Sequence, residues 1–393
     1  MRVLVLGFSV SDAMFERVLR TDRNMPVQTQ RFGWNLIEAL RSQGIVVDLL
    51  CAEPVTDFPN NSRLWIQGER FERHGQPGLS VSFVNVPGLK HLFRFLGVWW
   101  KSRWNRTRPS DLILVHGVHS AFLWAGLLVS RRQGVPIVPV ITDAPSLPTR
   151  YDNRLTRILK VLDAMLIRSA LMRVTGAVVL TDDLAKEFVP GKPYLLLPGI
   201  VEEQNVAAQV TQKVGPLTVV YAGSLHASYG VSTLVDAVAE STGDWRLVIC
   251  GRGPLEGQLE LLARESERVT FFGSVDPHEV PALYEWADIL VNPRPPDTEL
   301  ARHSFPSKLI EYMAAGRPVV STRLPTIDQE MAERLCLAES DAAGIARAID
   351  EVAAAPATVR VRLGARSRDF AINAYGQGAQ GERLAAYFGD LSV

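Results

Sequence analysis

The sequence predicts an α/β protein built from two Rossmann-like, doubly wound domains facing one another across a cleft. Three observations carry this. Short apolar runs that end in Gly or Asp alternate with segments of helical period from residue 2 onward. The alternation lapses over 200–215 and then restarts. The 393 residues, 47 % apolar and 21 % charged, exceed one ordinary domain and suit two.

In order, RVLVLG (2–7) reads as a buried parallel strand, followed by a loop of about twenty residues, longer than most connections. TQRFGWNLIEALRSQG (29–44) has helical apolar spacing and stops at Gly44. VVDLLCAE (46–53) closes the first strand–helix–strand unit. Further strands are expected at 79–86, 111–117, 135–143, 176–182 and 193–199. Polar residues without periodicity then mark a linker, assigned to 201–215 between a first domain (1–200) and a second (216–375). The second domain reads as strand 217–224, helix 231–242, strand 245–253, strands 268–275 and 287–293, helix 308–316 and strand 317–322. In such folds ligands bind at the carboxyl ends of the strands.

Zero net charge hides an asymmetry: residues 1–200 hold 25 Lys and Arg against 16 Asp and Glu, and the remainder reverses it. A basic first half favours an anionic partner; nucleic acid is not expected. Three scattered cysteines exclude a disulfide framework and a Cys-based metal site, and point to a reducing compartment. The first apolar run is too short for a signal peptide. No clustered His, Asp and Glu spacing supports a metal.

The run 112–129 approaches the ~18 residues of a membrane span but is broken by Gly117 and carries His116 and His119, so a strand and helix explain it better. Residues 89–108 differ: six Lys and Arg interleave with Phe93, Phe95, Trp99, Trp100 and Trp104. A basic, aromatic helix of this kind suits an anionic membrane surface. A second basic helix is expected over 154–173.

The stretch Val291 to Thr322 carries the chemistry. A strand ends at NPR, and Ser304 or Ser307 is placed to cap a helix that Pro306 starts. Free N–H groups and the positive helix end make an anion site, and Arg294 and Lys308 add charge beside it. Glu311, one turn on, can accept from vicinal hydroxyls. Diphosphate plus ribose implies a nucleotide sugar. Gly223 and Gly230 allow close backbone approach to phosphate. A surface ion pair is the plain alternative for Arg294 and Lys308, a loop cap for Asp143, and a simple turn for the glycines.

FPSKLIEYMAAGRPVVST resembles the donor-site signature of family 4 glycosyltransferases, retaining enzymes of the GT-B fold, and NPR…SFPSK…EY is similar to the bacterial exopolysaccharide and cell-envelope subgroup. YAGSLHASYGVSTLVDAV (221–238), VICGRGP (248–254), VTFFGSV (269–275) and ADILVNP (287–293) fall in the family's order, and NMPVQTQRFGWNLIEAL (24–40) and VITDAPSLP (140–148) resemble the same subgroup. The resemblance implies donor contacts from Gly223, Ser224, Gly230, Gly251, Gly253, His303, Ser304, Phe305, Pro306, Ser307 and Glu311. It implies catalytic roles for Arg294, Lys308 and Asp143, with the terminal helix (376–393) crossing back to the first domain. Acceptor-side candidates are Gln30, Trp34, His116 and His119.

This chain departs from the family at three places. His303 stands where most members have the first of two glutamates eight residues apart, so Glu299, Asp297 or the backbone at 303–305 are candidates for its role. Ser224 and Tyr229 stand where many have Arg and Lys, and Thr142-Asp143 where many have a histidine. The expectation is sugar transfer from a UDP- or GDP-sugar to a glycan or lipid-linked acceptor, without metal or other cofactor, on the inner face of the plasma membrane. A non-catalytic nucleotide-sugar-binding scaffold and a sugar-nucleotide 2-epimerase are the alternatives. A nicotinamide oxidoreductase fails because MRVLVLGFSVSD lacks GxGxxG.

Overall fold

The computed structural model describes residues 1–22, 27–104, 109–143, 154–202, 215–276, 279–298, 301 and 305–391. The chain divides into two compact units, Met1–Ile200 with Gln380–Val393, and Val201–Ala379.

The first unit holds an eight-stranded sheet. Its spatial order is Tyr194–Leu196, Ala177–Val179, Ile137–Ile141, Leu112–His116, Arg2–Gly7, Val46–Cys51, Gln76–Ser80 and Arg70–Arg73. The strands are parallel except for the last, antiparallel at the edge. Both faces are covered. Leu4 and Leu6 enter one apolar cluster, and Val3 and Val5 the other. Alternation with both faces buried is why these strands read as continuous apolar runs. Sequence order reverses beside Arg2–Gly7, so the carboxyl ends of Arg2–Gly7 and Leu112–His116 form the switch point.

Two expectations for this unit are corrected. The long loop after the first strand contains the helix Asp12–Thr21, which Ser11 starts by accepting from the Met14 N–H. Its burial of only Met14, Phe15 and Val18 gives it a weak sequence pattern. The single strand expected at 79–86 is two pieces. Gln76–Ser80 joins the main sheet, whereas Phe83–Val84 pairs antiparallel with Trp65–Ile66. Ser82 Oγ accepts from the Gly68 N–H where the chain changes partner.

The second unit holds six parallel strands, in the order Val269–Gly273, Trp245–Arg252, Leu217–Ser224, Ile289–Asn292, Val319–Thr322 and Cys336–Ala338. Val220 and Ala222 enter one cluster, Val219 and Tyr221 the other. Here the switch point lies between Leu217–Ser224 and Ile289–Asn292. The helix Gln377–Leu391 packs Leu384 and Phe388 into the first unit's core. Its Tyr387 hydroxyl donates to the Pro193 carbonyl and accepts from the Ala177 N–H, both at 2.9 Å.

Candidate active site

In the second unit the predicted donor residues gather at the switch point. Gly223 and Ser224 end one strand, and Pro293 and Arg294 follow its neighbour. Gly230, at φ 78°, joins a short 3-10 turn (Ala227–Tyr229) to the helix Val231–Glu240. A Cβ there would stand 1.9 Å from the Pro293 carbonyl oxygen, so only glycine lets this helix N-terminus approach the Arg294 loop.

Arg294 is buried, with its guanidinium 4.8 Å over the Tyr229 ring. Burial lowers its pKa, and the Tyr229 and Tyr221 hydroxyls act in the opposite sense. The Thr322 hydroxyl donates to the Arg294 carbonyl and holds the loop from the next strand. Lys308 lies in the first turn of the helix Ser307–Ala314, and its Nζ donates to the Ala222 carbonyl at 2.6 Å. The Tyr312 hydroxyl completes that anchor, accepting from the Ala222 N–H at 2.9 Å and donating to its carbonyl at 3.0 Å. Tyr284 stacks edge-on against Tyr312, and its hydroxyl reaches Glu311 Oε2 at 3.5 Å. Two cations and two helix N-termini therefore face one strand end, an arrangement suited to anionic oxygens.

Other predicted residues take different places. Gly251 and Gly253 zip neighbouring loops together. Their Cβ atoms would stand 1.8 Å from the Gly223 oxygen and 2.4 Å from the Leu225 oxygen. Leu225 donates to the Arg252 carbonyl at 2.8 Å across the same seam. Phe305 is buried in the core beside Leu309. The expected serine cap is corrected: the helix begins at Ser307 with Pro306 at its N-cap and no side-chain cap, so the Ser307 hydroxyl lies inside the first turn. His303, Ser304 and Glu299 lie outside the described residues. Tyr312 and the Ala222 backbone were not singled out from the sequence; the only signal was the Tyr following Glu311.

In the first unit, Gln30 and Trp34 grip one backbone segment. Gln30 Oε1 accepts from the Val10 N–H, and Gln30 Nε2 and Trp34 Nε1 both donate to the Val10 carbonyl. His116 is buried against Phe32, with rings 5.7 Å apart. Burial pushes its pKa down to about 4, and neither ring nitrogen has a hydrogen-bond partner among the described residues. His119 packs edge-on to Phe8 at 4.5 Å and is pushed down to about 3, chiefly by burial and next by Arg94. Asp143 is exposed beyond the strand Ile137–Ile141, and residues 144–153 lie outside the described set. Among the described residues no group of three or more His, Cys, Asp or Glu could hold a metal, and no helix is long and apolar enough to cross a membrane.

Two family models match in tandem, a "glycosyl transferase 4-like domain" over residues 29–192 and "glycosyl transferases group 1" over 216–355. Between them they span more than half of the chain. The chain belongs to the glycosyltransferases. A Bacillus subtilis protein, TuaH, provisionally named as a teichuronic acid biosynthesis glycosyltransferase, is 34 % identical over 96 residues. That match spans 24 % of this chain and 23 % of the relative's length. Among solved structures, sucrose-phosphate synthase from Thermosynechococcus elongatus superposes with TM-score 0.66 at 17 % identity, covering 100 % of this chain and 99 % of that one. Anabaena HepE in complex with UDP gives 0.63 at 15 % identity, covering 99 % and 100 %. At these identities the superpositions establish the GT-B fold alone.

Proposed function

We propose that this GT-B glycosyltransferase moves a sugar, with retention of anomeric configuration, from a nucleoside-diphosphate sugar to a hydroxyl of a lipid-linked or glycan acceptor in cell-envelope polysaccharide synthesis. The carrying observation is the set Arg294, Lys308 and Gly230 at one switch point. As the bond to the sugar breaks, negative charge develops on the leaving diphosphate. Fixed cations and helix N-termini already in place stabilise it without reorganising, which is preorganised electrostatic catalysis. Glu311 is placed to accept from ribose hydroxyls, and Tyr284 orients its carboxylate. Asp143 serves the acceptor hydroxyl. No metal is required in this account, since side-chain cations supply the positive charge. HepE, seen with UDP, supports a nucleotide donor, and TuaH, named for teichuronic acid biosynthesis, supports a role in polymer synthesis.

The membrane reading rests on the outer face of the first unit. The helix Leu89–Trp104 exposes Leu92, Phe93, Leu96 and Trp100, and the helix Arg154–Leu171 exposes Leu155, Ile158, Leu162 and Met165. Arg154, Arg157 and Arg168 are exposed on the same second helix. Apolar side chains beside basic ones suit the headgroup layer of an anionic leaflet, here the cytoplasmic face of the plasma membrane.

The donor site is tested by thermal stabilisation with UDP- and GDP-sugars, without metal, for wild type, Glu311→Ala and Lys308→Met. One nucleotide series is expected to stabilise wild type by about 2.7 kcal/mol at 100 times its dissociation constant, and both variants to lose that shift. Equal shifts in all three proteins would remove the assignment.

A further inference from the structure

The helix Leu89–Trp104 is charged on the wrong side for an ordinary surface helix. Lys90 and Arg94, one turn apart, are buried, while Leu92, Phe93, Leu96 and Trp100 face outward. Burying cations costs free energy unless something anionic meets them. Lys90 is partly met: its Nζ reaches Asp57 Oδ1 at 2.5 Å and the Val55 carbonyl at 3.3 Å. Arg94 is met far less. Its guanidinium lies 4.2 Å over Phe83 and 4.9 Å over Phe8, and Nη2 donates to the Glu53 carbonyl at 2.8 Å. Nε is buried with no hydrogen-bond partner among the described residues. The Glu53 carboxylate is already occupied by Arg17 and Arg63.

Both cations line a cavity of about 250 Å³, with His91, His119, Thr29 and Gln30 among its walls. The cavity opens where Phe8, Pro54 and His119 follow the carboxyl ends of three strands, at the first sheet's switch point. Its volume lies below the roughly 300–1,000 Å³ of pockets that enclose drug-sized ligands, so it suits one compact group. Burial lowers the pKa of Lys90, His91 and His119. An anion in the cavity would reverse part of that shift.

We propose that this cavity binds a phosphate or diphosphate group of the acceptor substrate, held by Arg94 and Lys90 with His119, Thr29 and Gln30 as polar walls. The proposal rests on the reading that the first unit takes the acceptor. The same helix that carries the two cations turns its apolar side outward, so a phosphate at the surface of a lipid layer is one source. A soluble phosphate ester is the other.

The test is calorimetric titration of inorganic pyrophosphate into wild type, Lys308→Met, Lys90→Met and Arg94→Gln, with melting curves as the folding control. Binding is expected to persist in Lys308→Met, where the donor site is disabled, and to weaken at least tenfold in Lys90→Met and Arg94→Gln. If Arg94→Gln does not fold, Lys90→Met, whose side chain keeps its apolar stem, carries the result. Unchanged affinity in Lys90→Met with loss in Lys308→Met would overturn the proposal, since pyrophosphate would then be reporting the donor site. Nucleotide stabilisation of the same proteins tells failure of the donor reading from failure of the cavity. Vesicles of phosphatidic acid against phosphatidylglycerol separate the two sources. A preference for the phosphomonoester that Lys90→Met abolishes assigns the lipid. Pyrophosphate binding without that preference assigns the soluble ester.

Discussion

At the carboxyl end of the second sheet, Lys308 rests on the Ala222 carbonyl, Arg294 rests on the Tyr229 ring, and three glycines let the surrounding loops close to backbone contact. At the carboxyl end of the first sheet, Arg94 is wedged between two phenylalanines, and burial pushes down the pKa values of His119 and His116. Both units have the same kind of switch point and both put cations there. The second holds Lys308 on a backbone carbonyl and Arg294 over a tyrosine ring. The first anchors Lys90 and Arg94 on the Val55 and Glu53 carbonyls, but Arg94 Nε and both ring nitrogens of His116 are buried without a hydrogen bond among the described residues. Rigid backbone suits a charge that must be stabilised at the moment of bond breaking, because nothing has to move. Partly satisfied burial suits a group that a ligand is meant to complete. The two regions are therefore expected to fail under different perturbations.

Acid should break the first region most. His116 is buried with its pKa lowered from 6.5 to about 4. The unfolded chain binds that proton below pH 6.5 and the folded chain does not, so stability is intact above pH 6.5 and is lost as pH falls toward 4. The shift of 6.5 − 4 is equivalent to up to about 3 kcal/mol. Hydrogen exchange measured from pH 7 to pH 4, corrected for the intrinsic rate, should show protection falling in the strand Leu112–His116. His116→Phe should reduce that dependence, leaving the part carried by His119, whose pKa burial pushes down to about 3. An equal loss in the strand Leu217–Ser224 would erase the contrast between the units.

The second region should break at its glycines. Gly230→Ala forces a side chain into a left-handed conformation, with its Cβ 1.9 Å from the Pro293 oxygen. Strain of this kind costs about 1–3 kcal/mol, and the overlap adds to it. Protection in Leu217–Ser224 and Ile289–Asn292 should fall, nucleotide stabilisation should weaken, and Leu112–His116 should be unaffected. A variant that melts like wild type and keeps its nucleotide shift would show that the close approach at Gly230 is dispensable.

The contrast also explains what the sequence disclosed. Each sheet's inner strands were legible because both faces are buried, as Val3 to Leu6 and Val219 to Ala222 show, whereas the edge strands Arg70–Arg73 and Cys336–Ala338, which bury neither face fully, were missed. The helix Ser307–Ala314 was legible because Pro306, Lys308 and Glu311 sit close together in the chain. The pairing of Lys308 with Ala222 and of Arg294 with Tyr229 spans 86 and 65 positions, and no local pattern encodes it. Gly251 and Gly253 were expected among the donor contacts from the resemblance; in the fold each makes room for a neighbouring carbonyl, a demand that leaves the same letters in the sequence. In 89–104 the basic and apolar residues interleave so evenly that composition favours an outward-facing basic helix. Only the fold shows that Lys90 and Arg94 face in.

The smallest stability effect should come from the outward face of the first unit. Leu162 and Met165 are about half exposed or more, at 51 % and 62 %, so they add little to the packed core. A surface substitution away from caps and networks usually changes stability by less than about 0.5 kcal/mol. Leu162→Glu with Met165→Glu should therefore leave the melting curve and the nucleotide shift of the second unit in place. Its effect on vesicles should be large by comparison. Inserting a carboxylate where an apolar side chain meets the acyl boundary removes buried area and adds repulsion from an anionic leaflet. Co-sedimentation with phosphatidylglycerol vesicles should drop several-fold, and pyrophosphate affinity at the Lys90–Arg94 cavity should not change. If vesicle binding persists and melting falls instead, the exposed residues cover another part of the protein in solution. The inverted helix Leu89–Trp104 would then be a packing surface in its own right. If both hold steady, attraction to the leaflet comes from the basic residues alone, and Arg154 and Arg157 become the next to replace.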